Sequence, residues 1–171
     1  MTRVASVEEE AWLYGAPGWT HEAGVEEVVA PFLEGRSARF RDFARFSALG
    51  EQAARDLLGR LPEENLRDRQ NLGPRCQEAL RAAVAHPGDV LLFGYLVSPP
   101  RWDERLTIDG MLVAGGAAPP ARASSAGPIR IWRDVRGRLG LGSDTGEPDE
   151  LMRMPLPGDA DGRIGWWMWW D

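Results

Sequence analysis

The sequence contains no lysine; all 20 of its basic residues are arginine. Arginine selected for planar, bidentate recognition would stand out against lysine elsewhere. With no lysine for contrast, its abundance reads as composition, alongside abundant Ala, Gly and Pro. Cysteine is nearly as scarce: Cys76 is the one copy, which excludes an intramolecular disulfide. His21 and His86 are the only histidines, so the chain offers three thiol or imidazole ligands where a structural zinc site needs four. Apolar runs fall well short of the ~20 residues that cross a bilayer. The opening MTRVASVEEE lacks the basic and then apolar pattern of a secretory signal. These shortages predict a soluble cytoplasmic protein with no metal, no cofactor and no membrane association.

What is present is ordinary for a globular chain: 43% hydrophobic and 27% charged residues over 171 positions. That length suits a single domain, residues 1–171. The net charge of −6 is unevenly spread. Residues 1–35 carry seven Glu against one Arg, and residues 143–171 carry seven acids against two Arg. Between them, residues 36–60 carry six Arg against three acids. Acidic ends argue against nucleic acid as a partner, because phosphate neutralisation supplies most of that affinity. They fit a solvated surface or a basic protein partner.

Local signals agree best over residues 71–113. Pro74 suits the first turn of a helix. Ala79, Leu80, Ala83 and Val84 then recur at helical spacing, and His86-Pro87-Gly88 stops the run. Residues 90–97 are an apolar, aromatic stretch of strand length, the pattern of an interior strand covered on both faces. Pro99 and Pro100 end it. Residues 106–113 resume strand character, with Asp109-Gly110 as a bulge or a second turn. The expected arrangement is an antiparallel pair joined by residues 98–104, with the helix on one face.

On the N-terminal side, a capping-box pattern at Ser6 and Glu9 predicts a short helix over residues 7–14. Val25, Val28, Val29, Phe32 and Leu33 form a helical stripe split by Pro31. Residues 37–61 read as the longest helix, interrupted near Gly50, and residues 62–70 as a charged connector. On the C-terminal side, residues 114–128 read as a flexible low-complexity loop. Residues 129–135 alternate like a half-buried strand, with a weak returning strand at 138–142. Residues 151–156 suit an edge strand, because Pro155 interrupts them. Asp161-Gly162 is a turn. The tail carries Trp166, Trp167, Trp169 and Trp170, two on each face of a strand docked on the sheet. The fold expected is α+β: a helical N-terminal half (1–86) packed on a mostly antiparallel sheet formed by residues 89–171.

Most chemical motifs fail on context. Asp144-Thr145-Gly146 matches the core of an aspartic-protease loop, but that chemistry needs two carboxylates sharing a proton and the chain has one copy. Asp159 to Gly162 resemble the middle of a calcium loop, with Pro157 and Met168 where its first and last carboxylates belong. Gly140, Gly142 and Gly146 miss the dinucleotide fingerprint by one residue. Cys76 and His86 lie about 15 Å apart along one helix, so a buried, inert thiol is expected. Phe40, Phe43 and Phe46, interleaved with arginines, read as core with a charged rim rather than as a single-strand platform.

The most loaded polar segment is Arg101, Trp102, Asp103, Glu104 and Arg105, next to Tyr95 on the preceding strand. Asp103 and Glu104 are adjacent on an extended chain and should face opposite ways. Trp and Arg dominate interface hot spots, so these six residues are the candidate binding site. The function expected is a non-catalytic cytoplasmic protein-interaction module, of an inhibitor or immunity type, with an acidic binding surface and a protein partner. The alternative is a small enzyme or ligand-binding protein that uses the Arg/carboxylate-rich loop 98–105, with Tyr95 and His86 nearby.

Overall fold

The computed structural model describes residues 12–34, 42–119 and 127–171. The chain begins with two short helices, α1 (Trp19–Glu22) and α2 (Val25–Val29), and a 3₁₀ turn at Ala30–Phe32. Strand β1 (Phe43–Leu49) follows, then helices α3 (Glu51–Leu58), α4 (Glu63–Arg67) and α5 (Cys76–Ala85). Strands β2 (Val90–Val97) and β3 (Arg105–Val113) form the hairpin, and helix α6 (Pro128–Leu139) precedes β4 (Glu150–Pro155) and β5 (Ile164–Trp169). Among the described residues five strands make one sheet in the order β1-β2-β3-β5-β4, with every neighbouring pair antiparallel. The mixed α+β class is as expected.

The helices cover one face of the sheet. Leu57 of α3 and Leu80 and Ala83 of α5 share a core with Phe46, Leu92, Leu96 and Met111 of the strands. Strand β2 is interior, but its two faces differ. Val90, Leu92 and Leu96 are fully buried, whereas Leu91, Phe93 and Tyr95 on the other face are half-buried. The Asp109-Gly110 dipeptide is a bulge: Phe93 pairs with Gly110 and Gly94 with Ile108, leaving Asp109 as the extra residue. Gly94 is required opposite it. A Cβ there would lie 1.9 Å from the Thr107 carbonyl oxygen and 2.8 Å from the Phe46 ring.

Two segments differ from the sequence reading. The expected helix over 37–61 is strand β1 followed by helix α3; residues 35–41 lie outside those described. The pairing with β2 slips between Phe46 and Leu49, and Ala48 takes a left-handed φ of 56°. This irregularity buries Phe46 and Leu49, three residues apart, on the core side, which is the spacing a helix would produce. Residues 129–135 are not a strand but the body of α6, and no returning strand follows at 138–142. Ile131, Trp132, Val135 and Leu139 are its buried stripe, and Ile129, which completed the alternation, is 41% exposed. Pro128 in the first turn and Gly140 at φ 65° are ordinary helix start and stop signals.

The other segments follow expectation in part. Pro31 ends α2 in a 3₁₀ turn, and β4 is an edge strand closed by Pro155. The charged connector contains the short helix α4. Of the helix expected at 7–14, residues 7–11 lie outside those described, and residues 12–14 are not helical. In the low-complexity run, residues 120–126 lie outside those described, and the expected flexible loop is not what its start shows: Gly115–Ala117 is a 3₁₀ turn, and Ala114, Ala117 and Pro119 are buried. Among the described residues no helix is long and apolar enough to cross a membrane.

The tail forms an interior strand. β5 lies between β3 and β4 and sends Trp166, Met168 and then Trp170 into the core, with Trp167 and Trp169 half-buried on the other face. Trp170 packs edge-on against Trp132 at 5.6 Å and donates its indole N–H to the Gly146 carbonyl. Replacing Trp170 with Ala is expected to cost about 3–5 kcal/mol, and deleting residues 165–171 to abolish cooperative unfolding; urea denaturation measures both. Gly94→Ala should lose about 1–3 kcal/mol by the same measurement, because the added methyl meets backbone.

Candidate functional site

The loop between β2 and β3 is built on two carboxylates that leave the chain in opposite directions. Asp103 and Glu104 are 7% and 1% exposed, and an uncompensated buried carboxylate is costly. Each has its own compensation. Arg101 grips Asp103 with a two-pronged fork, Nε to Oδ1 at 2.8 Å and Nη2 to Oδ2 at 3.0 Å. Arg105 adds Nη1 to Oδ2 at 2.7 Å. Burial works to raise the Asp103 pKa, but the hydrogen bonds and charges of the two arginines outweigh it and hold the carboxyl below its usual range.

Glu104 turns the other way, toward α1. Its Oε1 accepts the Gly18 N–H at 2.6 Å, and its Oε2 accepts the Thr20 N–H at 3.2 Å and the Thr20 hydroxyl at 2.8 Å. The expected opposition of the two carboxylates is therefore present. Glu104 serves as an anchor between the hairpin and the N-terminal block. The Trp102 carbonyl accepts the Leu13 N–H at 3.2 Å, and the Arg101 N–H reaches back to the Ser98 carbonyl. With the backbone pinned on both sides, the Trp102 side chain is 58% exposed and, among the described residues, lies outside the core.

Four of the six candidate residues thus meet. Arg101, Asp103 and Arg105 form the clamp, and the Arg105 guanidinium lies over the Tyr95 ring at 5.6 Å. Tyr95 stacks on Phe43 and donates its hydroxyl to Gln70. Trp102 stands at the exposed tip and Glu104 faces α1, apart from the clamp. His86, considered with them in the second reading, closes α5 as its C-cap.

Sequence reasoning missed three groups around this loop. On the Tyr95 side, Arg45 Nη2 binds both oxygens of the bulged Asp109, at 3.1 and 3.0 Å. Burial nonetheless raises the Asp109 pKa, and the nearby Arg45 offsets it only in part. Tyr14 donates its hydroxyl to Asp68, and burial, then that bond and the Asp68 charge, push the phenol up. Cys76 is buried, as expected, and burial pushes its thiol up. On the α1 side, Ser98 and Pro99 line a cleft of about 380 Å³ with Gly18, His21, Glu22 and Glu26. A second cleft of about 340 Å³, lined in part by Glu27, Phe32 and Asp56, flanks the other side of α2. The N-terminal run of glutamates was the available signal for these clefts, but it carried no register.

Comparison with protein-family models, with curated proteins and with solved structures finds no match to this chain.

The two aspartates should report opposite pH dependence. A carboxyl whose folded pKa is lowered adds stability above its unfolded value and loses it as pH falls through the folded one. That is Asp103. For Asp109 the folded value is raised, so its contribution is present at low pH and lost as pH rises through it. Relative to the wild type, Asp103→Asn is expected to be less stable at pH 7 than at pH 3, and Asp109→Asn more stable at pH 7 than at pH 3. Urea unfolding of both variants across this range gives the two slopes.

Proposed function

We propose that the protein is a non-catalytic interaction module that uses loop 98–105 and the adjoining α1–α2 block to bind a basic protein partner. The observation that supports this reading is an exposed indole on a pinned loop. Trp102 is 58% exposed, yet the residues on both sides of it are held by the Asp103 clamp and the Glu104 anchor. Binding through such a loop loses little conformational freedom, and tryptophan is among the most frequent hot-spot residues.

Charge indicates the partner. Residues 12–34 contain four Glu and no Arg, and carboxylates line the clefts on both sides of α2. The arginines of the loop are both paired with Asp103, whereas Glu22 and Glu26 line the cleft beside Ser98 and Pro99. A cationic surface would be attracted to this side, and an anionic one repelled.

Immobilised wild-type protein and its Trp102→Ala variant, offered the same extract of the native host, test the reading. A partner held by the wild type should be weakened by about 2 kcal/mol, roughly 30-fold, in the variant, and more readily released by salt than by detergent. The variant's urea midpoint should match the wild type. A stability loss of about 3 kcal/mol or more would place the indole in the core instead, and equal retention of the partner by both proteins would remove the loop from recognition.

A further inference from the structure

We propose that the cleft between α1, α2 and the start of the hairpin loop is a guanidinium site, which takes an arginine side chain of the partner. It deepens the reading above and rests on it for the partner. The cleft of about 380 Å³ is lined by Gly18, His21, Glu22, Glu26, Ser98 and Pro99, within the range of about 300–1,000 Å³ typical of ligand pockets. Carboxylates alone would not make it a site. The second observation is Ser98, which is 2% exposed and whose hydroxyl has no hydrogen-bond partner among the described residues. Buried hydroxyls nearly always have one. Ser98 is one of the residues that line the cleft, and a bound N–H donor is the partner its hydroxyl would take there.

The neighbouring groups are similarly underused. Glu26 is mostly buried, its side chain 17% exposed, yet its partners are distant: Thr20 Oγ1 at 3.4 Å and His21 Nδ1 at 3.5 Å. The Thr20 hydroxyl is engaged more closely by Glu104, at 2.8 Å. Glu26 therefore keeps acceptor capacity on both oxygens, the pattern that a planar two-pronged donor matches. Among the described cleft-lining residues, His21 is the one side chain able to carry positive charge. A guanidinium would bring a permanent positive charge, several N–H donors in one plane, and a flat, weakly hydrated face that tolerates contact with an imidazole or a proline ring.

The probe is capped arginine, N-acetyl-arginine methylamide, titrated into the full chain by NMR. The His21 imidazole signals report on the cleft, and those of His86 serve as the internal control. Saturable shifts of His21 without shifts of His86 are expected, with capped citrulline, uncharged and of the same shape, binding at least tenfold more weakly. Ser98→Ala and Glu26→Gln should each weaken capped arginine several-fold at an unchanged melting temperature. For Ser98→Ala, an unchanged melting temperature follows from removing a hydroxyl that makes no bond. Citrulline or capped lysine binding as tightly as arginine would overturn the assignment, as would the absence of any His21 shift at tens of millimolar. If Trp102→Ala abolishes partner binding while capped arginine leaves His21 unmoved, the interaction reading stands and the guanidinium site falls. If capped arginine binds as described but partner binding ignores Trp102, the site stands and the loop reading falls.

Discussion

Two adjacent buried carboxylates at the entrance to β3 set the form of the surrounding surface. An extended chain must send neighbouring side chains to opposite sides, so Asp103 and Glu104 cannot share one counter-charge. The chain meets the first with two arginines from the loop itself, and the second with the backbone of Gly18 and the backbone and hydroxyl of Thr20. The second solution makes the N-terminal block part of the hairpin's support. Removing either compensation would leave a charge in a place water reaches poorly, so the loop and the α1 region support one another through Glu104.

That coupling explains how a carboxylate-lined cleft forms at the start of the hairpin loop. Glu104 draws Gly18 and Thr20 against the base of the loop, and Ser98 and Pro99 then form one wall of the space that α1 and α2 complete. The opposite side of the hairpin is organised differently. There Arg45, Tyr95 and Arg105 are occupied with Asp109, Gln70 and Asp103 on the sheet face that the helices leave uncovered. The arginines of this region are paired with the carboxylates of the hairpin.

The hairpin, its bulge and α5 were legible because local signals and tertiary role coincide: prolines stop β2, a helical stripe faces the core, and Asp109-Gly110 breaks the register. Strand β1 was not, because the slip at Ala48 places Phe46 and Leu49 at a helix-like spacing, and only pairing with β2 identifies it. Helix α6 was misread for the converse reason. Ile129 and Ile131 alternate by chance with arginines, and that alternation outweighed Pro128 and Gly140, whose start and stop signals were the better guide. At the candidate site, the residue types and their opposition could be read from the chain. The attachment of Glu104 to Gly18 and Thr20 could not, since it joins positions more than 80 apart, and with it went any view of the cleft.

Strand β4 bounds the sheet on one side, and its composition bears on self-association. An unpaired strand edge is a template on which a second copy of a chain can stack. Here an incoming strand would find a run of only six residues, Glu150–Pro155. Glu150 and Arg153 would have to be stripped of water, and Pro155 has no N–H to offer. The same proline that marks the end of the strand thus helps keep copies of the protein from growing into a continuous sheet.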